Sequence, residues 1–179
     1  MKWFIKCFKQ YADFSGRARR KEFWWFTLIN FIIGMILVNC WIWPIISVSI
    51  EASVKGMDAP GVEELTLTLL KSPFLYIYII YYLAILIPTI AVSVRRLHDI
   101  GKSGFWYFLP VGGSVLSMFA SLASQSNMAL YLVLALIALA ISIVFLVWMF
   151  MDSTYGPNQY GPNPKGEGNP TDETVTPAE

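Results

Sequence analysis

Between Phe23 and Ile50 the chain reads FWWFTLINFIIGMILVNCWIWPIISVSI, 28 residues without one Asp, Glu, Lys or Arg. A helix needs about 20 consecutive apolar residues to cross the hydrocarbon core of a bilayer. Three further stretches meet that demand: Pro73 to Val94, Gly104 to Ala123 and Met128 to Met151. Together the four occupy 94 of 179 positions, and no water-soluble fold hides so much apolar chain in so short a protein. The composition agrees, at 56% hydrophobic and 14% charged with a mean hydropathy of +0.54, against about 25% charged in soluble domains. The expectation is an all-α membrane protein, a four-transmembrane-helix bundle. Residues 1–164 form a single membrane domain, and the acidic stretch 165–179 is a disordered tail.

The first span is expected to be an uncleaved anchor. A small-x-small site stands at Ser47-Val48-Ser49, but 22 residues precede the run, which far exceeds the roughly 7–15 residues of a signal peptide's apolar region. Cationic loops stay on the cytoplasmic side. Residues 1–22 carry seven Lys and Arg, residues 95–103 three, the 51–72 loop only two, and 124–127 none. Four spans with both termini in the cytoplasm place 11 basic residues inside and two outside. The third span is the shortest, with Pro110 and Gly112-Gly113 inside it, and a re-entrant segment is the alternative there. Gly113, Ser117 and Ser121 recur every four residues, the spacing that lets helices approach closely in lipid, with Ala138 and Ser142 as a facing stripe. The short Gln125-Ser126-Asn127 connection predicts an antiparallel hairpin. Pro44, Pro88 and Pro110 are expected to bend three helices.

Ahead of the first span, Trp3, Phe4, Cys7, Phe8, Tyr11 and Phe14 follow helical spacing with Lys2, Lys6 and Lys9 opposite. This predicts an N-terminal interfacial amphipathic helix whose lysines face anionic headgroups. Cys7 and Cys40 form neither a disulfide framework nor a metal site and are expected as reduced thiols.

Three strings stand out against the apolar background. They are Gly16-Arg17-Ala18-Arg19-Arg20-Lys21-Glu22-Phe23-Trp24; Arg95-Arg96-Leu97-His98-Asp99-Ile100-Gly101-Lys102-Ser103-Gly104-Phe105-Trp106; and Gly156-Pro157-Asn158-Gln159-Tyr160-Gly161-Pro162-Asn163-Pro164. In order and content, over about residues 10–165, they resemble the bacterial inner-membrane family called domain of unknown function 805. Phe105 departs from the resemblance, since Trp is more usual there. The resemblance implies a small multi-pass bacterial inner-membrane protein and brings no established reaction. It marks His98, Asp99, Gly101, Ser103, Gly104, Trp106, Asn158, Tyr160, Gly161, Pro162 and Pro164 as motif positions of structural weight.

Read physically, Arg17, Arg19, Arg20, Arg95, Arg96 and Lys102 converge on the cytoplasmic rim as a cationic collar. Guanidinium groups bind phosphate bidentately, so the expected partners are anionic lipid headgroups, with a membrane protein or a second copy as further candidates and no nucleic acid. Asp99 is expected to pair with Arg95, Arg96 or Arg20. His98 has no second histidine or cysteine near it for a metal, and Ser103 beside it is a weak nucleophile, so no catalytic residue, cofactor or metal is assigned. Gly101-Lys102-Ser103 is no phosphate loop, because Arg96 stands where the pattern requires Gly. The span interiors hold no ionisable residue, which weighs against an ion-coupled carrier. Asn30 and Asn39 are expected to join helices. The Tyr-Gly-Pro-Asn repeat at 155–158 and 160–163 is expected to end the last helix and fold back beside the collar, its tyrosines at headgroup level. The leading expectation is a non-enzymatic structural or interaction protein. A transporter or channel for a small neutral solute comes second, and an enzyme acting on lipid headgroups third.

Overall fold

The computed structural model describes residues 2–56, 58, 60–123 and 127–170. Its elements are α1 (Lys2–Lys9), α2 (Arg20–Val54), α3 (Val62–Lys71), α4 (Pro73–Asp99), a 3-10 turn (Gly104–Tyr107), α5 (Phe108–Ala123) and α6 (Met128–Phe150). No strand occurs among the described residues. Four helical segments are long and apolar enough to cross a membrane: Arg20–Val54, Pro73–Asp99, Gly104–Leu122 and Met128–Phe150. They correspond to the four expected spans.

Two of these helices outrun their apolar stretches. At about 1.5 Å per residue the 35 residues of α2 measure about 52 Å, well beyond a hydrocarbon core of about 30 Å. The excess carries Arg20, Lys21 and Glu22 at one end and Glu51 at the other. Likewise α4 continues past Val94 through the Arg-Arg-Leu-His-Asp string, which is therefore helix rather than loop. Gly101 ends it with a Schellman closure: the Lys102 N–H donates to Leu97 O at 2.9 Å and the Gly101 N–H to His98 O at 3.0 Å. That closure needs φ +75° at Gly101, which glycine adopts without strain.

The 51–72 loop contains a helix, which a count of its charges does not register. In α3 the acidic Glu63 and Glu64 occupy the first turn and Lys71 the last, complementing the helix dipole. The Trp41 indole N–H donates to Leu69 O at 3.2 Å, tying α3 to α2.

The bundle packs as two pairs, α2 with α4 and α5 with α6. Gly113 makes the second pair possible, because a Cβ there would lie 3.2 Å from Ile141 Cγ2 and 3.7 Å from Ala138 O. Residues 124–126 of the connection lie outside the described residues, so of the expected linker only Asn127 is seen, its side chain capping α6 at the Leu130 N–H. Pro110 falls in the first turn of α5, directly after the 3-10 turn, a position that tolerates proline. Pro44 and Pro88 lie inside α2 and α4.

The densest packing is at one end, not mid-bundle. Cys7, Ala18, Phe23, Phe26, Val92, Leu97, Ile100 and Met149 form the buried apolar cluster, drawn from α1, the loop before α2, α2, α4 and α6. The described start of the tail is also ordered: the Gly156 N–H donates to Glu167 O at 3.0 Å, and the Asn163 N–H to Asn169 Oδ1 at 2.7 Å. Structure thus continues past Pro164 to Pro170, and the remainder of the expected disordered tail, 171–179, lies outside the described residues.

Candidate functional site

The three motif strings meet at that end of the bundle, across up to 145 residues of sequence separation. Consecutive residues on a helix point about 100° apart and do not share a face. Arg95 and Arg96 therefore leave α4 in different directions, and each builds its own buried ion cluster.

Arg96 turns toward the end of α6. Its Nη1 donates to Asp99 Oδ2 at 2.5 Å, one turn further along the same helix. Its Nε and Nη2 donate to Met149 O at 3.4 Å, and Nη2 also bonds Met151 O. Those carbonyls are the orphan acceptors that any helix C-terminus leaves, and the guanidinium caps them. Asp99 takes a second cation on its other oxygen, where Arg17 Nε donates to Oδ1 at 3.0 Å, and a hydroxyl, Ser153 Oγ, on Oδ2 at 2.5 Å. Arg17 gives its remaining donors to the returning loop, at Gly156 O (2.8 Å), Gly161 O (3.4 Å) and Thr154 O and Oγ1 (2.8 and 3.1 Å), and to Asp99 O at the end of α4 (3.3 Å). The side chains of Arg17, Arg96 and Asp99 are 1%, 0% and 0% exposed.

Arg95 turns toward α1 and α2. Its Nη1 donates to Glu22 Oε1 at 3.0 Å and also meets Gln10 Oε1. Glu22 is fully buried and takes Lys6 Nζ on Oε2 at 2.7 Å. Cys7 lies 4.0 Å from Glu22 Oε1. Burial, reinforced by the Glu22 charge, pushes the Cys7 thiol up to about 11, so it is a protonated, inert thiol at neutral pH. Arg95 Nη2 is buried with no hydrogen-bond partner among the described residues.

The collar expectation is therefore corrected for half its members. Arg17, Arg95 and Arg96 are not offered to headgroups, because each is buried against a carboxylate. Asp99 pairs with Arg96, as one of its expected partners, but not with Arg95 or Arg20, and its second partner is Arg17. Arg19 bonds Pro164 O and lies 5.9 Å over the Trp3 ring. Arg20 reaches Phe150 O and Asp152, each at 3.1 Å, and is 43% exposed. Lys102 Nζ stands 4.2 Å over the Trp148 ring. Sequence reasoning missed Glu22, whose local signal is no more than a carboxylate beside Arg20 and Lys21 at the start of a long apolar run.

The motif positions have structural work. The His98 Nδ1 is 3.2 Å from Gly16 O, and the ring stacks on Tyr160 with centroids 3.8 Å apart at 4°. The fold-back of the last string is thus present at Tyr160, whereas Tyr155 is 81% exposed. Asn158 donates from Nδ2 to His98 O at 2.9 Å and accepts the Tyr160 N–H on Oδ1. Gly161 lies at φ +130°. Ser103 caps the 3-10 turn by accepting the Phe105 N–H. A Cβ on Gly104 would stand 2.6 Å from Val94 Cγ1, so only glycine fits between α4 and the turn. Trp106 packs edge-on against Trp148 at 5.4 Å, which brings the turn to α6. Pro162 and Pro164 hold the loop in its non-helical course, with Pro164 presenting its carbonyl to Arg19. Of the two asparagines, Asn30 joins helices by accepting the Tyr81 hydroxyl at 2.7 Å. Asn39 does not: it is exposed and donates to Met35 O of its own helix.

The amino-terminal helix is present at Lys2–Lys9, but its apolar side packs on protein, with Phe4 and Phe8 centroids 5.6 and 5.8 Å from Phe26. Lys6 meets Glu22. No group of three His, Cys, Asp or Glu able to hold a metal exists among the described residues.

A family model described as "Protein of unknown function (DUF805)" matches residues 11–162. The inner membrane protein YhaI of Escherichia coli K12 is 31% identical over 168 residues, covering 92% of this chain and 97% of its own length. The inner membrane protein YhaH of the same strain is 30% identical over 167 residues, covering 93% and 99%. No solved structure matches.

Proposed function

The chain belongs to the DUF805 family, and we propose that it is a non-enzymatic structural or interaction protein of a bacterial inner membrane, engaging anionic lipid through a basic cytoplasmic face with both termini on that side. One observation carries the reading. After Arg17, Arg95 and Arg96 have been consumed inside the protein, Lys21 is exposed at the motif end, and Arg19, Arg20, Lys102 and Lys165 keep partial exposure. The non-enzymatic part draws on His98, stacked on Tyr160 and bonded to a carbonyl, and on Asp99, both of whose oxygens already accept hydrogen bonds.

Full-length protein in nanodiscs of equal phosphatidylglycerol and phosphatidylcholine tests the reading by native mass spectrometry. Selective retention of phosphatidylglycerol is expected, and equal retention of both lipids overturns it. Headgroup turnover lost in His98→Ala would overturn the non-enzymatic part.

A second reading, passage of a small neutral solute, draws on a cavity of about 410 Å³ between α2 and α4, lined among others by Asn30, Gly34, Tyr78, Tyr82 and Thr89. Solute flux in proteoliposomes that falls on Gly34→Leu would favour it over lipid engagement.

A further inference from the structure

We propose that the start of α2 and the end of α6 form a binding site for one anionic phospholipid, whose phosphate sits in a basic cup and whose acyl chain lies in the adjoining apolar groove. The proposal rests on the lipid-engaging reading and gives it a place and a ligand class.

The cup, about 450 Å³, is lined by Arg19, Arg20, Lys21, Lys165 and Glu167. Beside it a groove of about 390 Å³ is lined by Arg20, Lys21, Trp24, Trp25, Leu28 and Phe150. The two share Arg20 and Lys21 in their linings, so a basic pocket adjoins an apolar one at a pair of cations. This is the polarity sequence of a phospholipid, and neither a free anion nor a hydrocarbon alone matches it.

Charge complementarity fixes the class. Four cations stand in or beside the cup against two carboxylates. Asp152 is engaged by Arg20 and Lys165, and Glu167 lies 4.0 Å from Lys165. Lys21 is exposed and makes no ion pair among the described residues. The surplus of two positive charges suits a headgroup with net negative charge and disfavours a zwitterion. Arg19 precedes α2 without any side-chain cap, so the positive end of the helix dipole adds to the same field.

Depth is also consistent. Leu28 lies eight residues along α2 from Arg20, about 12 Å at the helical rise, the distance from a headgroup into the acyl region. Trp24 and Trp25 fall between, at the level where indoles favour the interface. Trp24 stacks on Phe150 with centroids 4.4 Å apart, and its buried Nε1–H has no acceptor among the described residues. Trp25 and Leu28 are half exposed, at 50% and 48%.

The test titrates full-length wild-type protein in detergent with phosphatidylglycerol and, separately, phosphatidylcholine, counting bound lipid by native mass spectrometry. The variant Lys21→Gln/Lys165→Gln is expected to weaken phosphatidylglycerol binding about fivefold for each lysine, the effect of one basic side chain at an anionic surface. Leu28→Trp, which fills the groove, is expected to weaken it as well. Lys55→Gln, at the far end of α2, is expected to leave it unchanged. Thermal unfolding of each variant reports folding, and the lysine variant carries the test if Leu28→Trp is unstable. Equal binding of the two lipids by the wild type defeats the broader reading. Selective binding that both variants retain defeats this site alone. Full displacement of the lipid by 10 mM inorganic phosphate would assign the cup to a free anion and overturn the phospholipid.

Discussion

Asp99 and Glu22 are both buried carboxylates held between two cations, and they differ in how completely their surroundings are satisfied. Around Asp99 both cations are guanidinium groups 1% or less exposed, and their N–H groups run to carbonyls of the α6 terminus and the returning loop. Around Glu22 one cation is Lys6, 42% exposed, and the other is Arg95, with one nitrogen buried and unmet. A buried charge is tolerable when its partner and every remaining hydrogen-bonding site are supplied. The Asp99 cluster meets that condition and joins three distant strings. The Glu22 cluster meets it only in part and pins the amino-terminal helix to the bundle.

The largest effect is therefore expected from Asp99→Asn. This isosteric change leaves Arg17 and Arg96 buried without a counter-charge, a loss of about 3–5 kcal/mol, read by denaturant unfolding in mild detergent. A loss below about 1 kcal/mol would erase the distinction between the clusters. The matched change Glu22→Gln is expected to cost less, about 1.5–3 kcal/mol, the range for hydrogen bonds to a charged group, because it leaves one buried cation, Arg95, rather than two, and Lys6 can turn into water. It should also release α1, seen as faster amide exchange at residues 2–9.

Removing a cation sharpens the contrast. Arg17→Met breaks a pair whose partner remains buried, whereas Arg95→Met leaves Glu22 with Lys6 and deletes the unmet nitrogen. Arg95→Met is expected to destabilise by about 1 kcal/mol and Arg17→Met by at least twice that, in the same unfolding assay.

The smallest effect belongs to the exposed Asp152. The Lys165 ammonium and then the Ser153 N–H hold its carboxyl below the ordinary aspartate range. A lowered folded pKa stabilises the folded state above the unfolded pKa, near 3.9, and that contribution disappears as pH falls through the lowered value. Asp152→Asn should thus remove a small stabilisation at pH 7 and flatten the acid limb of the stability–pH curve below about pH 4. A change at pH 7 larger than that of Glu22→Gln would reverse the ranking.

Much of the fold was legible because a span has a one-dimensional signature, length and absence of charge, that Phe23–Ile50 or Met128–Met151 displays without any partner. The hairpin of α5 and α6 was legible for a related reason, since Gly113 and Ala138 mark a close approach by their size. The candidate site was half legible. The collar's composition could be read, but adjacent arginines look alike in sequence, and only the 100° step between Arg95 and Arg96 sends them to different carboxylates. Glu22 went unassigned because nothing near it in the chain announces a cation 73 residues away. The helix α3 was overlooked because its ten residues are too few to span and were weighed only for charge.

The amino-acid sequence alone determined that four segments are long and apolar enough to cross a membrane and where those segments lie, since the bilayer acts on each segment separately. Tertiary structure decided which of its cations are buried in ion pairs and which are left exposed. That choice depends on the returning loop, whose carbonyls satisfy Arg17 from 137 to 144 residues away, and no local pattern encodes a contact made at that range.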